Sequence, residues 1–153
     1  MTKTPVEVVQ ALLAGRKDIT TVRSLCTPNV TYVSLNYSNP DLQKSMPWCG
    51  TYTGPEALVS TFVRVEEFWK LDDFSPEAIF GDDDHVAVFG SYTLTSTVLG
   101  KTTTSPFSIY FKLTDGKISY MQYMEDTFAT SATFRSGGTW TFRSDPAGGE
   151  VSV

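Results

Sequence analysis

The stretch "HVAVFGSYTLTSTVLGKTTTSPFSIYFKLTDGKISYMQYMEDTF", residues 85–128, decides the fold. Its apolar and polar residues alternate with period two, the spacing of a half-buried strand. Gly100-Lys101 interrupts the alternation once, and Asp115-Gly116, a hairpin signal, interrupts it again. The stretch therefore reads as a meander of three antiparallel strands. "FSPEAIFG", residues 74–81, supplies a fourth strand ahead of the acidic turn "GDDDH".

Working outward from the meander, the N-terminal half carries helical spacing. Pro5 stands at a helix start with Thr4 as its cap, and Val6, Val9, Leu12 and Leu13 form an apolar face before Gly15. Asp18 caps a shorter helix, "DITTVRSLCT", which Pro28 ends. "NVTYVSLNY", residues 29–37, alternates as the first strand. "GPEALVSTFVRVEEFW", residues 54–69, is a third helix with a stripe of Leu58, Phe62, Val65 and Phe68 or Trp69. Residues 38–53 read as a long loop; Leu42, Met46 and Trp48 within it need somewhere dry to sit, which favours a lid over a cavity mouth. Three helices laid on one strongly curved, mostly antiparallel sheet make an α+β cone with a pocket inside, spanning residues 1–135. Residues 136–153 change to a Gly-, Ser- and Pro-bearing composition, which predicts a partly disordered tail or an added edge strand.

The bulk composition narrows the function. The chain has 153 residues, 41% hydrophobic and 19% charged, enough for one domain with a real core. Net charge is −5 and no basic cluster occurs, so the electrostatic footprint of a nucleic-acid binder is missing. The longest apolar runs are too short to span a bilayer, and "MTKTPVEVVQALLAG" fits an amphipathic helix better than a signal peptide; a cytoplasmic location is the default. The two cysteines, Cys26 and Cys49, make neither a disulfide framework nor a zinc spacing and read as free thiols. Seven Tyr, ten Phe and three Trp are enough rings to wall a cavity.

With "GTYTGPEALVSTF", "DDDHVAVFGSYTLTSTVLGK", "FKLTDGKISYMQYMEDTF" and the closing "ATF" occurring together and in order, the chain resembles the SnoaL-like branch of the NTF2-like superfamily, with ketosteroid isomerase-like relatives, over roughly residues 5–135. The resemblance implies a cone-shaped barrel around an apolar pocket, chemistry without a cofactor or metal, and a homodimer through the sheet. The superfamily also contains non-catalytic binding domains, so fold alone does not choose the function.

Chemistries found in such folds can be tried on these residues. A ketosteroid isomerase-like site needs a carboxylate after the first strand and a Tyr in the first helix. The first strand offers Tyr32, Ser34 and Asn36 instead, and Gln10 stands at the helical position. An epoxide hydrolase-like site needs an Arg and two Asp where this chain has Gly90, Tyr92 and Tyr123. A scytalone dehydratase-like site leans on pocket histidines, and the single His85 lies in the "DDDHV" turn. A metal held by Asp82, Asp83, Asp84 and His85 would need convergent ligands from one contiguous turn, which such turns rarely supply.

A SnoaL-like cyclase places a carboxylate near the last strand, and its recurrent Asp falls on Asp126. Strand parity gives the other answer: Met121, Tyr123 and Glu125 share the inner face and Asp126 points out, unless a bulge reverses the end. Glu125 and Asp126 are thus alternative acid/base candidates with Tyr123 beside them. Asp126 also reads as the cap of a helix beginning "TFATSATF". The expected pocket lining is Tyr32, Ser34, Asn36, Trp48, Phe62, Trp69, Val88, Gly90, Tyr92 and Met121. The function expected is an isomerase, cyclase or lyase acting on a small apolar carbonyl or polyketide-like compound. The alternative is a module that binds such a ligand, or dimerises, without turnover.

Overall fold

A computed structural model describes residues 1–153. Helix α1, Pro5–Gly15, is started by a capping box: Thr4 Oγ1 accepts from the Glu7 amide at 3.3 Å, and Glu7 Oε2 accepts from the Thr4 amide at 2.8 Å. Its buried face is Val8, Val9, Leu12 and Leu13. Helix α2, Ile19–Leu25, is capped by Asp18, whose carboxylate accepts from the Thr21 amide at 2.9 Å. The chain then passes directly into strand β1, Cys26–Ser34. This strand begins and ends earlier than its alternation suggests. Leu35 adopts a left-handed φ of 67°, which turns the chain away from the sheet.

Residues 38–53 correct the expectation of an irregular lid. They hold a short helix, α3 (Pro40–Ser45), and an edge strand, β2 (Gly50–Thr53), paired antiparallel to β1. Met46, Trp48 and Cys49 are fully buried, so the segment is a fixed part of the wall. Helix α4, Pro55–Phe68, follows, and Trp69 opens strand β3 (Trp69–Gly81) rather than closing the helix. Strands β4 (His85–Ser96), β5 (Thr102–Thr114) and β6 (Lys117–Glu125) complete the meander, and α5 (Thr127–Ala132) closes the end of β6.

The main sheet has six strands in the order β2-β1-β6-β5-β4-β3. Only the β1–β6 pairing is parallel. Register shifts between Leu71 and Asp73 and between Pro76 and Ala78 bend β3. Such irregularities increase twist and curve the sheet. Helices α1, α2 and α4 fill the concave side, and Val9, Leu12, Val22, Leu58, Ile109, Phe111, Ile118 and Met121 are sealed between them and the strands. The tail does not extend the main sheet. Strands β7 (Thr141–Phe142) and β8 (Val151–Ser152) pair with each other as a separate small sheet. No helix is long and apolar enough to cross a membrane.

Candidate active site

At the wide end of the cone a cavity of about 90 Å³ opens between the helices and the concave sheet. That is smaller than the ~150 Å³ of a dry cavity that takes a benzene, so it suits a compound with at most one small ring. Helices α1 and α4 contribute Leu13, Phe62 and Val65 to its wall, with Arg16 just beyond the end of α1. The segment after β1 contributes Leu35, and the α3–β2 segment Trp48. The sheet supplies Tyr32, Ser34, Trp69, Phe74, Tyr92 and Leu94, then Tyr123 and Glu125 from β6.

Glu125 is the last residue of β6 and sits opposite Phe107 of β5. Pairing from Tyr120 to Glu125 runs without a register shift, so no bulge reverses the strand's end and Glu125 faces inward. Its Oε2 is sealed from solvent with no hydrogen-bond partner. Burial pushes its pKa up to about 7, against an opposing pull from the hydroxyls of Tyr92 and Thr130. The Thr130 hydroxyl is itself buried without a partner.

Asp126 corrects the resemblance-based expectation of an inward acid. It is exposed, and its carboxylate caps α5 by accepting from the Ala129 amide at 3.1 Å. Its own amide donates to Ser105 Oγ at 3.0 Å, which pins the end of β6 to β5. Asp126 thereby fixes the helix that carries Thr130 toward Glu125, but touches nothing in the cavity.

Around Glu125 stands a shell of rings. Tyr92 meets Tyr123 edge-on at 6.3 Å between centroids, and Phe107 stacks on Tyr123 at 5.6 Å and on Phe74 at 5.0 Å. Tyr32 stacks on Phe62 at 5.6 Å. Trp48 meets Trp69 at 4.9 Å, and the Trp69 indole donates to Thr133 Oγ1 at 2.8 Å. Burial raises the pKa values of Tyr32, Tyr92 and Tyr123, and the Glu125 charge adds to the rise in each. All three phenols are therefore neutral hydrogen-bond donors at ordinary pH.

Tyr32, Ser34, Trp48, Phe62, Trp69, Tyr92, Tyr123 and Glu125 thus meet in one cavity. Four expected lining residues do not. Val88 and Met121 lie on the concave face but are wholly covered in the core beneath the cavity. A Cβ on Gly90 would come within 2.9 Å of Phe107 Cζ, so the Phe107 ring occupies the space that Gly90 leaves. Asn36 follows the left-handed turn at Leu35 and is carried away from the lining. His85 is also remote: it pairs with Asp82 at 3.1 Å in the exposed turn and stacks on Tyr110. Nowhere do three or more His, Cys, Asp or Glu side chains converge as a metal site.

Arg16, Leu35, Phe74 and Leu94 were not signalled as lining. Arg16 follows Leu12 and Leu13 at the spacing of one helical turn, so the α1 stripe, extended past Gly15, points to it.

The comparisons agree with this architecture. The SnoaL-like domain family matches residues 7–121. Patulin synthesis protein F of Aspergillus clavatus is 43% identical over 136 residues, covering 86% of this chain and 69% of that protein. A solved NTF2-like protein from Burkholderia thailandensis superposes with a TM-score of 0.73 at 21% identity, over 88% of this chain and 99% of that one. TerC, co-crystallized with polyporic acid, superposes with a TM-score of 0.68 at 25% identity, over 86% and 98%. The chain belongs to the SnoaL-like domain family and shares its fold with NTF2-like proteins.

Proposed function

We propose that the protein is a cofactor-independent enzyme of the isomerase, cyclase or lyase type, acting on a small one-ring carbonyl compound. One observation carries this: the Glu125 carboxyl, its Oε2 sealed from solvent in a ring-lined cavity, with its pKa raised to about 7. A carboxyl poised near neutral pH both accepts and returns a proton under ordinary conditions, and such transfer contributes ~10²–10⁴-fold to rate. As carboxylate, Glu125 takes the proton from a carbon next to the substrate carbonyl. Electron density moves onto the carbonyl oxygen, where the Tyr92, Tyr123 or Tyr32 hydroxyl donates to the developing enolate. Neutral Glu125 then returns the proton to another atom of the substrate. Return to a different carbon isomerises, attack of the enol on a second group closes a ring, and proton delivery to a departing hydroxyl releases water.

Kinship supports the same class of chemistry. Two curated relatives are named for patulin synthesis or its biosynthesis cluster, and TerC was co-crystallized with polyporic acid, which supports a small-molecule role. The size of the cavity favours a single ring over a polycyclic ligand.

The test is hydrogen–deuterium exchange at the carbon beside the carbonyl, followed by NMR for a panel of cyclic enones in D₂O. The wild type accelerates exchange for at least one compound, and Glu125→Gln loses about 10²-fold or more of that rate while still binding it. Equal rates in wild type and variant rule Glu125 out as the base. Binding without any exchange leaves the protein as a small-ligand-binding module.

A further inference from the structure

Arg16 is the one cationic side chain in the cavity wall, and no carboxylate pairs with it. Glu66, a carboxylate of the same wall, is held by Lys17 at 2.8 and 3.0 Å. The Arg16 guanidinium is not free in solvent. It lies 5.8 Å from the Phe62 ring centroid and 5.5 Å from that of Phe74, and its Nη1 donates to the Leu13 carbonyl at 2.6 Å. Two aromatic faces and a helix-end carbonyl hold the fork in place. One of its five N–H groups is thereby used, leaving a planar donor set suited to paired oxygens.

The same ring wall links this cation to the acid. Phe74, under Arg16, stacks on Phe107 at 5.0 Å, and Phe107 stacks on Tyr123 at 5.6 Å, two residues before Glu125. These ring contacts run from the Arg16 cation to the strand that carries Glu125, while Glu66, the other acid of the wall, is taken up by Lys17. A ligand anion placed beside Glu125 meets a second acid; placed beside Arg16 it meets an unclaimed guanidinium. The chain's net charge of −5 gives anions no general attraction, so their binding requires such a dedicated group.

We propose, resting on the catalytic reading of the cavity, that Arg16 is its anion-recognising residue and that the substrate is an acidic one-ring compound. Its carboxylate or ionised enol lies against the Arg16 fork, which orients the ring so that the reacting carbon reaches Glu125. Arg16 is a specificity residue and takes no proton.

Benzoate and benzamide, matched in size and differing in charge, test this by NMR titration of the ¹⁵N-labelled full chain. Wild type binds benzoate about tenfold or more tightly than benzamide, the scale of a charge-assisted paired contact. Arg16→Met keeps the apolar stem between the rings; it removes the preference, bringing benzoate affinity down to about that of benzamide. Arg16→Lys retains the charge without the fork and keeps part of the preference. Equal affinity of the wild type for both probes overturns the assignment, as does a preference that survives in a natively folded Arg16→Met. If Arg16→Met does not fold, raised salt on the wild type decides, because the benzoate preference must shrink as salt screens the pair. A benzoate preference that depends on Arg16, combined with no deuterium exchange on any enone, sinks the catalytic reading and leaves the anion site standing.

Discussion

Glu125 and Asp126 are consecutive in the chain, yet one carboxyl faces the ring-lined cavity and the other faces water as the cap of α5. The inner carboxyl has an oxygen with no partner, and burial raises its pKa to about 7. The outer one accepts a backbone N–H and holds a helix in place. The same division runs along the whole sheet. On the concave side Tyr92, Phe107 and Tyr123 are packed around the acid, whereas on the convex side Phe89 and Tyr110 are exposed, the latter stacked on the exposed His85. Residue type alone does not make a proton-transfer group. An acid becomes one where the strand's parity turns it toward a place in which the cost of burial outweighs the donors that face it.

The largest test of that contrast is pH-dependent stability. Folding raises the pKa of Glu125 from 4.5 to about 7, so between those values the folded state binds more protons than the unfolded chain. Stability then falls as pH rises from about 4.5 through 7, by up to about 3 kcal/mol. Glu125→Gln carries no such charge. The variant should be more stable than wild type by as much as that at pH 8, with the gap closing near pH 4.5, as read by denaturant titration at both values. A gap that does not change with pH would show that Glu125 is not sealed, and the two carboxyls would then be alike.

A smaller effect probes the floor of the cavity. A methyl group at Gly90 would lie 2.3 Å from the Ser75 carbonyl oxygen and 2.8 Å from Pro76 Cα, both backbone atoms of β3. Gly90→Ala should cost about 1–3 kcal/mol, the usual range for overpacking. Ser91→Ala, its neighbour on the convex side, should stay within about 0.5 kcal/mol. Comparable losses at the two positions would mean that the concave side is no more tightly packed than the convex one.

Parity along β6 made the inward direction of Glu125 legible, because period two is intrinsic to an extended strand. Parity says which face a residue is on but not how deep it lies. That is why Val88 and Met121 share the concave face with Tyr92 and Tyr123 yet lie below the cavity, and why Gly90 lies against the Phe107 ring instead of lining it. Depth depends on where α1 and α4 cover the sheet, and that is a tertiary property. The wall contributed by Trp48 was legible as a ring needing burial, while the pairing of β2 with β1 was not, since Gly50–Thr53 is too short to show a period. Arg16 was hidden for a different reason. Gly15 reads as a stop, and the charge just beyond it looks solvated until Phe62 of α4 and Phe74 of β3 close on it.

The smallest effect belongs to Asp126. If it is only a cap, Asp126→Ala removes the acceptor of the Ala129 amide and costs about 1 kcal/mol by denaturant titration. Asp126→Asn keeps a good capping oxygen and should cost almost nothing. Deuterium exchange on a responsive enone then separates the roles. Loosening α5 in the Ala variant shifts Thr130 relative to Glu125 and slows exchange by a few-fold at most, and the Asn variant restores it. A direct acid/base could not be rescued by Asn, which neither gains nor loses a proton in this range. Exchange abolished by Asp126→Asn in a stable protein would therefore move the chemistry to the outer carboxyl, and the family-like position rather than the strand's parity would be the one that matters.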